Sequence, residues 1–393
     1  MSGLITEEGQ DDLLERGYSR RQFGRVAALL GMQSAAIAAA FPHLLGAAEA
    51  REMPADRDKS GMIRIGSNEC WTGPFPAGIA AGEAAVRLGN RYEPTHMRRT
   101  LIENVAAVEN VPASHILPWP GSSDPLSRVI VTFCSPTRGL VTANPTYEAA
   151  WRTADWLQAK STTVPLKAAN RYAVDVRALL AADPHAGVYY ICSPNNPTGT
   201  LTPIADIAWL LDNKPAGSIV LVDEAYIHFA GTQSAASLVT RSKDIIVLRT
   251  FSKLFGMAGL RLGLSLAHPE THQKMMRYDG ANQSGTLSIV ALAAGGASVL
   301  RAQDIVARRN EMIAAREETF AFLKKRGVSF IPSQANMFMI DWKKPAAPIR
   351  QAFAAQNIDI GRSWTLWPNC SRITVGSAAD MKAFCGALDK IVA

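Results

Sequence analysis

Between residues 85 and 285, short continuous apolar runs alternate with stretches whose apolar positions recur at helical spacing. Three of the runs are Arg138-Gly139-Leu140-Val141-Thr142, Gly187-Val188-Tyr189-Tyr190-Ile191-Cys192 and Ser218-Ile219-Val220-Leu221-Val222. Runs of this length without in-out alternation are the mark of strands buried on both faces. Helical spacing fills the intervals, as from Leu126 to Phe133 and from Ile204 to Leu211. That succession predicts an α/β fold with a mostly parallel sheet. After Ser284-Gly285-Thr286 the pattern turns helical, from Leu287 to Leu300 and again from about Arg301 to Arg326, then alternates short strands and helices to the end. Residues 85–285 are expected to form a large domain, and residues 51–84 with 286–393 a smaller α+β domain.

The first 50 residues read differently. Ser19-Arg20-Arg21-Gln22-Phe23-Gly24-Arg25 precedes an apolar stretch from Val26 to Phe41, then Pro42 and the small-residue site Ala48-Glu49-Ala50. A basic head, a mildly apolar core and an Ala-x-Ala site are the three parts of an export leader, and the paired arginines resemble the twin-arginine kind. A stable membrane span would need about 20 strongly apolar residues. This stretch is shorter and rich in Ala, Gly, Ser and Gln. The expectation is a leader over residues 1–50 on an exported, periplasmic protein. A basic N-terminal helix on a cytoplasmic protein is the alternative.

Candidate chemistry centres on Lys253, in the run Thr250-Phe251-Ser252-Lys253, with Arg261 eight positions on. A lysine after hydroxyl residues can hold an aldehyde as a Schiff base while Thr250, Ser252 and the Arg261 guanidinium hold a phosphate. That pairing describes pyridoxal phosphate. Thirty residues upstream, Asp223 ends an apolar run, at the strand end where open α/β sheets place ligands. An ionised Asp beside a pyridine nitrogen keeps the ring an electron sink. Capping of the following turn by Asp223 and Glu224 is the plainer use of the same residues. Tyr226 and Asn196, the latter in Ser193-Pro194-Asn195-Asn196-Pro197-Thr198-Gly199, could each hydrogen-bond the ring oxygen, although an Asn-Pro and Thr-Gly turn explains the second without a ligand. Gly121-Ser122-Ser123, before a helix, offers backbone N–H groups to a phosphate, or an ordinary cap. Tyr147 could stack on a ring or simply pack. Arg372, in Cys370-Ser371-Arg372-Ile373-Thr374-Val375-Gly376, could grip a carboxylate or lie on a strand surface.

Taken in order and spacing, these elements resemble fold-type I pyridoxal-phosphate enzymes of the class I/II aminotransferase family, most nearly the histidinol-phosphate aminotransferase branch, from about residue 62 to the end. The resemblance implies a two-lobed α/β fold, a homodimer and transfer of an amino group between an amino donor and a 2-oxo acid through a Lys253 Schiff base and pyridoxamine phosphate. It places Asp223 at the pyridine nitrogen, Asn196 and Tyr226 at the ring oxygen, and Tyr147 on the ring. Ser122, Ser123, Thr250, Ser252 and Arg261 fall around the phosphate. Arg372, Arg362 and Asn68 fall at the substrate, and Tyr92 at a position that reaches across the dimer into the partner's site. The branch usually reads Asn-Glu-Asn-Pro-Tyr-Gly-Pro where this chain reads Asn68-Glu69-Cys70-Trp71-Thr72-Gly73-Pro74. Thr72 in place of the substrate-facing aromatic sets this chain apart, and Trp364 and Trp367 suggest an apolar or aromatic acceptor.

Composition narrows the alternatives. A net charge of +7 would suit nucleic acid, but the basic residues fall in scattered pairs such as Arg98-Arg99 and Arg308-Arg309, as on solvated helix faces. Five widely spaced cysteines form neither a zinc set nor a disulfide framework. No Gly-x-Gly-x-x-Gly opens a helix after a strand, which disfavours a nicotinamide enzyme. A lyase, decarboxylase or racemase of the same fold, or a non-catalytic binder of the cofactor, would use the same Lys253 and Asp223.

Overall fold

The computed structural model describes residues 5–30, 61–278 and 287–392. A seven-stranded sheet forms the large layer from β2 (Ile116–Trp119), β3 (Leu140–Asn144), β4 (Ser161–Pro165), β5 (Val188–Cys192), β6 (Ile219–Asp223), β7 (Ile245–Thr250) and β8 (Gly263–Ala267). Their order is β2-β8-β7-β6-β5-β3-β4, and only the pairings of β8 are antiparallel. The sheet is mixed and mostly parallel, as the run pattern predicts.

The apolar runs lack alternation because both faces of the sheet are covered. Along β6, Val220 and Val222 enter one core while Ile219 and Leu221 enter the other. Each such side chain contributes roughly 1.5–3 kcal/mol on leaving water. Because β3, β5, β6 and β7 are parallel, their carboxyl ends, Asn144, Cys192, Asp223 and Thr250, come out on one edge. The loops that carry Tyr147, Asn196, Tyr226 and Lys253 leave from that edge, whereas Asn68 follows β1 and Arg372 lies on β12.

A second, three-stranded antiparallel sheet joins β9 (Ser329–Ile331), β10 (Met337–Asp341) and β12 (Cys370–Thr374), while β1 (Ile63–Ile65) pairs in parallel with β11 (Ile358–Ile360). The register Ile63↔Ile358 ties the chain before the large layer to the C-terminal part. The helix Ile289–Val299 lies elsewhere: it packs on Pro76–Val86 and Met97–Glu109, and a Cβ on Gly295 would meet Leu262 and Phe251 of the large layer. Gly78 permits that approach, since a Cβ there would stand 2.3 Å from Ser298 Oγ. Among the described residues no single helix is long and apolar enough to cross a membrane.

Residues 5–30 dock on the outer face of the large layer through the helices Glu7–Glu15 and Phe23–Leu29, joined by the single turn Arg20–Gln22. Leu13, Tyr18, Val26 and Leu30 are buried with Leu126, Val129, Ala150 and Tyr278. The Tyr18 hydroxyl donates to the Cys134 carbonyl at 2.8 Å, and Arg25 Nη1 to the Trp156 carbonyl at 3.0 Å. Arg20 and Arg21 stay exposed. The expected apolar leader beyond Leu30 and its Ala48-Glu49-Ala50 site lie outside the described residues.

A buried ion network stiffens the strand ends beneath the site. Arg249 Nη1 lies 2.7 Å from Glu224 Oε2 and Nη2 2.7 Å from Glu109 Oε2, with Arg249 and Glu224 almost wholly buried. Glu224 also accepts from the Ala235 N–H and the Ser234 hydroxyl. Arg249→Met would strand the Glu224 carboxylate without a countercharge, and a loss of about 3–5 kcal/mol is expected in a denaturant titration. A loss below about 1 kcal/mol would show the network to be dispensable.

Candidate functional site

The loops that follow β2, β3, β5, β6 and β7 meet the second sheet around a cavity of about 310 Å³. Asn68, Ser122, Ser123, Tyr147, Asn196, Asp223, Tyr226, Thr250, Ser252, Lys253, Arg261 and Arg372 all line it. Of the residues singled out in the sequence, Tyr92 and Arg362 do not. Tyr92 is 99% exposed, and Arg362 forms an ion pair with Glu148 at 2.8 Å.

At the floor, Asp223 is 3% exposed. The Tyr190 hydroxyl donates to its Oδ2 at 3.0 Å and the Ala225 N–H to its Oδ1 at 3.1 Å. Burial raises its pKa to about 6 against the opposing pull of those bonds and of Lys253. Asp223 thus caps a turn and faces the cavity at once.

Lys253 Nζ donates to the Asn68 carbonyl at 3.1 Å and stands 5.5 Å from the centre of the Tyr226 ring. Desolvation, followed by the nearby Arg372, lowers its pKa to about 8. A lysine so placed holds a large fraction of neutral, nucleophilic amine near neutral pH.

One wall is an anion cradle. The helix Ser123–Phe133 begins there, and Ser122 at its N-cap makes no side-chain capping bond, which leaves its hydroxyl uncommitted to the helix. Thr250 Oγ1 bonds Ser252 Oγ at 2.9 Å, and Arg261 Nη1 reaches Ser252 Oγ at 3.4 Å. Gly121, at φ +91°, admits the guanidinium, because a Cβ there would stand 2.3 Å from Arg261 Nη2. A Cβ on Gly263 would lie 2.5 Å from the Ser122 nitrogen. Backbone N–H groups, hydroxyls and one guanidinium form a donor set suited to a phosphate.

The opposite wall orients two hydrogen-bond donors. Asn195 Nδ2 donates to Thr198 Oγ1 within the Ser193–Gly199 turn and to the Pro145 carbonyl outside it, and Asn195 Oδ1 accepts from the Thr146 hydroxyl, while the Asn196 side-chain oxygen accepts from Arg372 Nη1 at 2.9 Å. The Asn196 amide nitrogen keeps its donors for the cavity. Asn68, in the left-handed region at φ +54°, donates through Nδ2 to the Tyr226 hydroxyl at 3.1 Å, which leaves the phenol hydrogen to donate. Arg372 also donates to the Gly66 carbonyl at 2.6 Å, its Nε is buried without a hydrogen-bond partner, and it forms no ion pair among the described residues. Desolvation lowers its pKa to about 10.

The residues fit pyridoxal phosphate. A phosphate cradle, an amine with a lowered pKa, a buried carboxylate and two oriented donors surround one cavity of suitable size. Sequence reasoning missed Tyr190, Thr374 and Glu148. Cys192 and Asp223 are register partners, so Tyr190 lies on the same face of β5 as the neighbour of Asp223, but only the strand order reveals this. Thr374, which donates to Asn68 Oδ1 at 3.0 Å, sits inside the segment read for Arg372, and nothing local to it signals a partner 306 residues away.

The family model of aminotransferase class I and II matches residues 60–388. A histidinol-phosphate aminotransferase of Symbiobacterium thermophilum is 29% identical over 330 residues, 83% of this chain and 90% of that protein. An aromatic amino acid aminotransferase of Rhodococcus erythropolis is 30% identical over 342 residues, 86% and 92% of the two chains. In three dimensions the histidinol-phosphate aminotransferase of Sinorhizobium meliloti, solved in complex with pyridoxal-5'-phosphate, superposes with a TM-score of 0.77 at 23% identity, over 84% of this chain and 90% of that one. The chain therefore belongs to the class I and II aminotransferases and is a pyridoxal-phosphate-dependent transaminase.

Proposed function

We propose that the transaminase takes amino acids with a neutral, aromatic side chain as donors and a 2-oxo acid as acceptor. Arg372 carries this reading. Its guanidinium lines the cavity and forms no ion pair with a carboxylate among the described residues, so a substrate α-carboxylate supplies the direct countercharge. Trp364, 5.7 Å from Arg372, gives the adjoining site an aromatic wall, and Thr72 leaves room where the histidinol-phosphate branch carries a tyrosine.

Pyridoxal phosphate, when bound, supplies a protonated ring that draws electrons from the donor's α-carbon. Ser122, Ser123, Thr250, Ser252 and Arg261 would hold its phosphate, Asp223 its ring nitrogen, Asn196 and Tyr226 its ring oxygen, and Tyr147 its face. Lys253 would hold the aldehyde, and once released its amine is the base that moves the α-proton. A lowered lysine pKa suits both tasks.

Purified holoenzyme titrated with L-phenylalanine, L-tyrosine and histidinol phosphate, without keto acid, is expected to lose the aldehyde-form absorbance to the amine form with the aromatic donors. A cofactor band that no donor converts would exclude transamination of these donors and favour a lyase or racemase. Cofactor attachment to the apoenzyme should accelerate as pH rises through about 8, because the protonated amine below that pH is not nucleophilic. Arg372→Gln removes a neighbouring cation that lowers the Lys253 pKa, so the profile is expected to move to higher pH. An unmoved profile would show that Arg372 does not act on the amine.

The chain is further proposed to work as an exported homodimer. The aromatic ring of Tyr92 is almost wholly exposed on a loop, as suits a group reaching a partner's site, and Arg20-Arg21 stay exposed on the folded protein. Tagged protein should appear in the periplasmic fraction, sediment at twice the chain mass, and remain cytoplasmic as the R20K/R21K variant. A monomer, or export indifferent to the arginines, would refute the corresponding half.

A further inference from the structure

Arg362 stands close to Arg372 on the chain that leads into the second sheet. The Arg372 N–H donates to the Arg362 carbonyl at 3.3 Å, and the two guanidinium groups share one ring, Arg362 at 4.4 Å and Arg372 at 5.7 Å from Trp364. An arginine at that distance from a carboxylate-binding arginine would ordinarily serve a second anionic group on the substrate. Here it is already engaged. Glu148 Oε2 lies 2.8 Å from Arg362 Nη2 and 2.7 Å from Arg152 Nη2.

Glu148 is well placed to hold that engagement. It directly follows Tyr147, which lines the cavity, and stands at the N-cap of the helix Ala149–Trp156. Arg152, one turn along that helix, anchors the carboxylate from its own element. Glu148 is only 14% exposed in its side chain, whereas Arg362 is 47% exposed. The cation faces solvent and the carboxylate is held in the wall, so an incoming anion must displace a fixed internal counter-ion rather than water.

We infer that Glu148 is a specificity-determining residue: by occupying Arg362 it withholds the cation that would bind a second anionic group, so the enzyme selects donors with neutral side chains over dicarboxylates and phosphate esters. This rests on the transamination reading with Arg372 at the α-carboxylate. Selection here works by competition, since the attraction offered to an anionic side group is already satisfied within the protein. Replacing the carboxylate by its isosteric amide keeps an oxygen in place while removing the charge.

The test compares kcat/KM for L-glutamate and histidinol phosphate with that for L-phenylalanine in the wild type, E148Q and E148Q/R362Q. The anionic-to-neutral ratio is expected to rise about two- to fivefold in E148Q, the size of effect given by one partly exposed charge pair. The rise should vanish in E148Q/R362Q. General damage to the fold lowers all three substrates together and leaves the ratio unchanged, which would overturn the inference. So would a rise of equal size in the double variant, or a wild type that already prefers the anionic donors. If no donor of either class converts the cofactor in the wild type, the transamination reading itself fails and the inference falls with it.

Discussion

A carboxylate held in a water-poor pocket at the end of a parallel strand is the constraint around which the site is organised. Asp223 must end β6 at the carboxyl edge, because the alternating faces of that strand are committed to two apolar cores. The Tyr190 hydroxyl and the Ala225 N–H solvate it only in part, and burial still holds its pKa at about 6, above the 3.8 of a free aspartate. At neutral pH the ionised form therefore costs the folded protein about 3 kcal/mol. That cost is absent while the group stays protonated in both states and grows as pH rises through the window from 3.8 to about 6. A cation facing Asp223 offsets it, so the fold without its cofactor carries a standing preference for a protonated ring nitrogen.

The second constraint is the joining of the two sheets at Asn68. Its backbone N–H donates to Thr374 Oγ1, its carbonyl accepts from Lys253, and its amide bonds both Tyr226 and Thr374. One buried residue thus links β12, the lysine loop and the tyrosine after β6. The left-handed backbone of Asn68 turns the chain so that carbonyl and side chain face different partners, a conformation that asparagine tolerates better than most residues. Gly256, at φ +67°, lets this loop lie against the lysine turn, since a Cβ there would sit 2.3 Å from the Gly73 carbonyl oxygen.

Much of this was legible in the chain because the chemistry sits in strand-end loops, where short motifs keep a fixed relation to a buried run. Asp223, Asn196 and Lys253 each follow an apolar run that became β6, β5 or β7, and they converge because those strands are parallel neighbours. What stayed hidden depends on pairs distant in sequence. Tyr190 looked like one more apolar strand position until the strand order set it beside Asp223. The Glu148–Arg362 pair spans 214 residues and follows no local pattern. The docking of residues 5–30 was equally unreadable, since a basic, weakly apolar segment describes a leader and an amphipathic arm alike, and the contact with helix Ser123–Phe133 is purely tertiary.

That arm lies outside the family match, which begins at residue 60, yet it is fitted to its own body with side-chain specificity. Arg16 donates to the Val131 carbonyl and to the Tyr278 hydroxyl, each at 2.7 Å, and Gln22 Nε2 to the Leu157 carbonyl at 3.1 Å. Val131, in the helix Ser123–Phe133, and Leu157 and Tyr278, just past the ends of the helices Ala149–Trp156 and Pro269–Met276, come together only after that layer has folded. Under the proposed export, the docked arm with its exposed arginine pair would therefore exist only on a folded body. Loading of the cofactor requires that same body, because the cradle, Asp223 and Lys253 come from different strands of the one sheet. Folding thus precedes both, and a route that carries folded chains is the one that would let the cofactor be taken up before the protein leaves the cytoplasm.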